Sequence, residues 1–123
     1  MILVDTSVWV DHLRAREPTL ISALESGSVS THPFVIGELA CGNLANRAEV
    51  LQLLQHLPGA AVATDSEVLA FIDARRLMGR GVGYVDVHLL AAAVLAGDTR
   101  LWTRDKRLAG LAGALSVAYA EHA

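Results

Sequence analysis

The chain has 123 residues, a formal net charge of −3 and 53% apolar residues, enough for one domain with its own core and with no Pro/Gly/Ser-rich linker to divide it. The apolar residues are chiefly Ala, Leu and Val, with only 5% aromatics, which disfavours an all-β sandwich. The lone Cys41 excludes an internal disulfide framework and any Cys-based zinc pattern, so a reducing cytoplasm is the default and Cys41 is expected to be a small buried residue.

In chain order, Ile2 to Val4 reads as a fully buried strand, and Ser7 can cap a helix running through Trp9, Val10 and Leu13 to about Arg14. Pro18 opens a second helix that Gly27 closes. Val29 to Thr31 is a short strand. Pro33 then fits the first turn of a helix carrying Val35, Ile36, Glu38, Leu39 and Ala40. Val50, Leu53, Leu54 and Leu57 follow the i, i+3, i+4, i+7 pattern of an amphipathic helix ending at Pro58.

Ala60 to Ala63 makes a weak strand. Asp65 or Ser66 caps the next helix, which is expected to reach about Gly79. Gly79-Arg80-Gly81-Val82-Gly83 reads as a loop and not a phosphate cradle, since it lacks the G-x-G-x-x-G spacing and a preceding strand. A strongly apolar helix carries Asp86 in its first turn, with Val87, Leu90, Ala91, Val94 and Leu95 behind it, and Gly97 stops it.

Val87 to Gly97, the longest charge-free helical stretch, is too short to span a bilayer, and no basic leader precedes Asp5, so no membrane association is expected. Arg100 to Thr103 is a strand, the last helix begins near Asp105, and Ser116 to Tyr119 is a final edge strand. Strands alternating with helices imply an α/β fold: three layers, α/β/α, around a small, mostly parallel sheet, in one domain over residues 1–123.

Asp5 ends the first strand, where α/β sheets gather their reactive groups. Glu38 is flanked by Gly37, Leu39, Ala40 and Gly42, without the charged company of a solvent-facing turn. Asp86 begins the most apolar helix and Asp105 follows a strand. Each acid also has a plain explanation: an Asx-turn for Asp5, helix caps for Asp86 and Asp105, a solvated helix face for Glu38.

Four short motifs, in this order and spacing, resemble the PIN-domain ribonucleases and, within them, the VapC toxins of prokaryotic toxin–antitoxin pairs. They are Val4-Asp5-Thr6-Ser7-Val8-Trp9, Ile36-Gly37-Glu38-Leu39, Tyr84-Val85-Asp86-Val87-His88-Leu89-Leu90 and Leu101-Trp102-Thr103-Arg104-Asp105. The resemblance covers essentially the whole chain. It implies a Mg²⁺- or Mn²⁺-dependent endoribonuclease whose acidic pocket is Asp5, Glu38, Asp86 and Asp105, with Thr6, Ser7 and Thr103 supporting it. It also implies a homodimer and an antitoxin that inserts a segment into the cleft.

The chemistry agrees with that implication. Two carboxylates about 5 Å apart at an effective dielectric near 20 repel by roughly 3 kcal/mol, so four in one cleft call for a divalent cation. Oxygen-only ligands favour Mg²⁺ or Mn²⁺ over zinc. Attack by a metal-activated water would leave a 5′-phosphate and a 3′-hydroxyl, whereas metal-independent ribonucleases need a His pair that the five histidines do not offer.

His88, two residues from Asp86, is turned away from it on a helix. Trp9 and Trp102 suit core packing better than base stacking. RNA phosphates fall instead to Arg75, Arg76, Arg80, Arg104, Lys106 and Arg107. With four of thirteen acids set aside as metal ligands, nine face ten basic residues, so the net charge does not speak against RNA.

Two other classes fit the sequence less well. An aspartyl phosphatase would show D-x-D, yet Ser7 stands where the second Asp belongs, and a receiver-type domain would want paired acids near the N-terminus. A catalytically silent PIN-fold binding module would have lost an acid, and all four are present.

Overall fold

The computed structural model describes residues 1–121. Three strands, β1 (Ile2–Val4), β2 (Val29–Ser30) and β3 (Arg100–Trp102), form an all-parallel sheet in the order β2-β1-β3. Ile2 pairs with Val29 on one side and Arg100 on the other, and Val4 lies opposite Trp102. Because β1 is central and covered on both faces, its sequence is an uninterrupted apolar run, as parallel sheets require. Seven helices join and cover the strands: α1 (Thr6–Ala15), α2 (Pro18–Glu25), α3 (Pro33–Cys41), α4 (Arg47–His56), α5 (Asp65–Arg75), α6 (Tyr84–Ala96) and α7 (Lys106–Ala114). The expected three-layer α/β/α arrangement is the one observed.

The core is built from Leu3, Val4, Trp9, Leu89, Leu101 and Trp102, all at most 1% exposed, with smaller residues between them. Both tryptophans therefore serve packing, as expected. Every residue of α6 from Val87 to Ala93 is buried, which explains why this helix lacks a polar stripe. No described helix is long and apolar enough to cross a membrane.

Several boundaries differ from the sequence reading, each for a local reason. Asp5, not Ser7, is the N-cap of α1, because the helix starts the moment β1 ends and the extended backbone of Asp5 (ψ 158°) makes the turn. Thr64 caps α5, where Asp65 or Ser66 was expected. Its hydroxyl accepts from the Glu67 N–H at 3.1 Å while its own N–H donates to Glu67 Oε1 at 2.9 Å, the reciprocal T-x-x-E box.

That helix also stops at Arg75, four residues short of Gly79. Arg76 turns left-handed (φ 54°), and the buried Leu77 bonds back to Ile72 O at 3.0 Å. Ala60 to Ala63 is not a strand. The sheet-like contact is one bridge, Thr31 to Gly59. Likewise Ser116 to Tyr119 reduces to a single parallel bridge, Leu101 to Ala118. Cys41, expected to be buried, is exposed.

Candidate active site

Four chain segments bring carboxylates to the carboxyl edge of the sheet: the β1–α1 junction, the middle of α3, the first turn of α6 and the β3–α7 junction. Asp5 is the most fixed. Its side chain is buried, and Oδ2 accepts two hydroxyls, from Thr103 at 2.7 Å and from Ser7 at 2.8 Å. Those two oxygens lie 3.4 Å apart. Both donors fall on one carboxylate oxygen, so Oδ1 has no recorded partner among the described residues.

The remaining acids are each held by one contact. Thr6 donates to Glu38 Oε1 at 2.8 Å, so α1 positions a group on α3. The Gly83 N–H donates to Asp86 Oδ2 at 3.3 Å, and the Leu108 N–H donates to Asp105 Oδ1 at 2.9 Å. Asp105 is thus the N-cap of α7, while Asp86, in the first turn of α6, accepts from the backbone of the N-cap residue Gly83; these local roles leave both carboxylates at the cleft. Thr103 further accepts from the Asp105 N–H at 3.1 Å, linking the fourth acid to the first through one hydroxyl.

Asp86 registers the gathering electrostatically. Burial raises its carboxyl above the usual range, and the charges of Asp5, Asp105 and Glu38 raise it further, against the lowering effect of the Gly83 N–H. Among the described residues no three His, Cys, Asp or Glu side chains stand close enough to close around a metal ion as they are. The acids line one cleft without forming a cage.

Beside Thr6 and Glu38 the cleft continues into a cavity of about 470 Å³ walled by Val10, Leu13, Leu39, Leu44 and Val50. Val10 and Leu13 show more of themselves to solvent than core residues do, at 39% and 41%.

The six basic residues separate into different environments. Arg80, Lys106 and Arg107 are exposed. The Arg107 side chain crosses the glycine loop so closely that a Cβ on Gly81 would lie 2.7 Å from its Cδ, which, with φ +81°, gives that glycine a structural reason. Arg75 lies over the Phe71 ring, 5.9 Å from its centroid, at the end of α5, and Arg76 occupies the left-handed cap. Arg104 differs from all of these, being bound to Asp11, Glu17 and Glu121.

Sequence reasoning missed those three partners. The available signal was Asp11, one helical turn after Ser7 and so on the same face of α1. It also missed an aromatic cluster between the helices of Glu38 and Asp86. His88 on α6 is 2% exposed, and its ring meets Phe34 at 4.6 Å, Tyr84 at 4.7 Å and His32 at 6.1 Å. Its Nε2 lies 3.6 Å from Asp65 Oδ1. His32 caps α3 by accepting from the Phe34 N–H at 3.0 Å, and burial, then His88, lowers it to about 4.

The PIN domain family model matches residues 2–114. Ribonuclease VapC32 of Mycobacterium tuberculosis, in strains CDC 1551 and H37Rv, is 50% identical over 121 residues, covering 98% of this chain and 98% of the relative. Among solved structures, PAE2754 from Pyrobaculum aerophilum superposes with a TM-score of 0.63 at 16% identity, over 94% of each chain. FitAB bound to an IR36 DNA fragment superposes at 0.61 with 19% identity, over 99% of each chain. At those identities the two structures speak to the fold alone.

Proposed function

This chain belongs to the PIN-domain family and to its VapC branch, and from that premise we propose that it is a divalent-metal-dependent endoribonuclease acting as the toxin of a toxin–antitoxin pair. The observation that carries the reading is the pressure at Asp86, whose carboxyl is raised by burial and by the charges of Asp5, Asp105 and Glu38 together. Such a cleft costs stability unless a cation enters it.

The donor set is all oxygen and suits Mg²⁺ or Mn²⁺ bound through one or two carboxylates with waters completing the shell, not an all-protein cage. When bound, such an ion supplies a water of lowered pKa and neutralises charge on the scissile phosphate. Asp5 and Asp86 are its central holders in this reading. Ser7 and Thr103 fix one oxygen of Asp5 and leave the other for the ion. Glu38, steadied by Thr6, orients the attacking water, and Asp105 completes the pocket. Arg75, Arg76, Arg80, Lys106 and Arg107 take RNA phosphates, with affinity that falls as salt rises.

The partners follow from the same reading. The apolar-walled cavity that opens beside Glu38 suits an inserted antitoxin segment. A second copy suits the exposed Leu69 and Leu95 of α5 and α6, 59% and 55% open to solvent; light scattering on the free toxin tests the dimer. Action on cellular RNA belongs in the cytoplasm, where Cys41 stays reduced.

The test is cleavage of a labelled RNA by purified protein with Mg²⁺ or Mn²⁺, giving 5′-phosphate and 3′-hydroxyl ends. Products ending in a cyclic phosphate, or equal cleavage in EDTA, would reject the mechanism.

A further inference from the structure

Just outside the acidic cleft lies a second concentration of carboxylates. Asp11 on α1, Glu17 at the head of α2 and Glu121 near the end of the chain all converge on Arg104. Nη1 donates to Asp11 Oδ2 at 2.7 Å and to Glu17 Oε1 at 3.0 Å. Nη2 donates to Glu121 Oε1 at 2.7 Å and Nε to Glu121 Oε2 at 3.4 Å, a forked pair that only a guanidinium makes. The carbon at the centre of that fork lies 5.8 Å from the centroid of the buried Trp102 ring. Only 27% of the side chain is exposed, so a phosphate would have to compete with three carboxylates for a guanidinium already enclosed.

The main chain of the same residue runs into the cleft. Its N–H donates to Ser7 Oγ at 3.0 Å, and Ser7 in turn donates to Asp5 Oδ2 at 2.8 Å. The residue before it, Thr103, supplies the other hydroxyl on Asp5 Oδ2 at 2.7 Å, and the one after it is Asp105. The side chain is therefore anchored on α1, on α2 and on the C-terminal stretch, while the backbone lies between the two hydroxyls that hold the most buried acid.

We infer that Arg104 is a positioning residue: it bolts the β3–α7 junction to α1 so that Ser7 and Thr103 keep Asp5 fixed, and it takes no RNA phosphate. The inference rests on the ribonuclease reading and replaces the phosphate-binding role that its place in a basic cluster suggested.

Three measurements on Arg104→Met separate the roles. The salt dependence of RNA binding is read in EDTA, turnover with Mn²⁺ is read as kcat and KM, and Mn²⁺ binding is read from the paramagnetic resonance of the free ion. A positioning role leaves the salt slope unchanged, lowers kcat about tenfold with KM within about twofold, and weakens Mn²⁺ binding, since supporting groups of metal sites are worth about 10–100-fold. Arg107→Met, by contrast, lowers the slope by about 0.7, the value for one phosphate contact on a single strand.

A slope lowered by that amount in Arg104→Met, with kcat and Mn²⁺ binding intact, overturns the inference. Should Arg104→Met fail to fold, Arg104→Lys decides: it keeps the charge and loses the fork, so positioning predicts weakened Mn²⁺ binding and phosphate contact predicts wild-type behaviour in all three readouts. Absence of RNA cleavage by the wild type would defeat the ribonuclease reading, while the Mn²⁺ arm would still judge Arg104.

Discussion

Two neighbouring regions concentrate carboxylates and treat them in opposite ways. Around Arg104, three acids share one guanidinium, and hydrogen bonding to it lowers the carboxyls of Glu17 and Glu121. In the cleft, the carboxylates of Asp5, Glu38, Asp86 and Asp105 are held among the described residues by hydroxyls and backbone N–H groups alone, and Asp86 is raised. Where the chain supplies a cation, the acids are tied to it; in the cleft the described residues supply none, and in the proposed reading a divalent ion takes that place.

The comparison breaks most visibly at Asp5. Asp5→Asn is expected to lower kcat by about 10³-fold or more, because a ligand charge worth several kcal/mol to the transition state is lost; steady-state cleavage with saturating Mn²⁺ measures it. Thr103→Val removes one of the two hydroxyls on Asp5 Oδ2 and is expected to cost about 10–100-fold in activity or metal affinity. Its signature is partial recovery at high Mn²⁺, which Asp5→Asn does not show.

Stability sharpens the contrast by its sign. Asp86→Asn removes a strained charge and is expected to stabilise the metal-free protein by about 1 kcal/mol, raising Tm by roughly 3–6 °C, while abolishing cleavage. Because the folded carboxyl titrates above its ordinary 3.8, the folded state binds the proton more tightly. The penalty is therefore full at neutral pH and is relieved as pH falls through the raised value. The Tm advantage of Asp86→Asn should shrink on acidification, and taking the difference between the two proteins cancels the contribution of His32.

Glu121→Gln should do the reverse and destabilise. The effect is at most about 1 kcal/mol, as for other solvent-screened pairs. Its cost is present above about pH 4.5 and disappears below it, because pairing lowers the Glu121 carboxyl. Thermal melts of both variants across pH settle whether the two regions differ in sign.

Much of the fold could be read from apolar runs and turn residues: the three strands and seven helices of the described residues overlap segments that these marked, α2 through Pro18 and Gly27 and α5 through its start. What escaped was what periodicity does not encode. The Thr64–Glu67 box was present as T-x-x-E but was overshadowed by the more obvious Asp65. Ala60–Ala63 has strand-like composition, yet its pairing with Thr31 is a single bridge at Gly59, made by the Ala60 N–H to Thr31 O at 2.7 Å and the Thr31 N–H to Pro58 O at 2.9 Å.

Asp5, Glu38 and Asp86 stood out in the sequence because each interrupts an apolar or small-residue run, and Asp105 because it follows a strand. Their supporting bonds were half legible: Thr6, Ser7 and Thr103 sit beside them in sequence, whereas Asp11, Glu17 and Glu121 lie 93, 87 and 17 residues from Arg104. For that reason the basic cluster gave no sign of the three carboxylates that hold Arg104. Charge along the chain says nothing about which opposite charges the fold delivers.

Mn²⁺ titration of the metal-free protein, followed by thermal melting, tests the claim that the cleft awaits a cation. Wild type should gain Tm in proportion to the logarithm of Mn²⁺ above its dissociation constant, Asp5→Asn and Asp86→Asn should gain little, and Glu121→Gln should gain nearly as much as wild type. Equal stabilisation of all four proteins, or of none, would contradict the account.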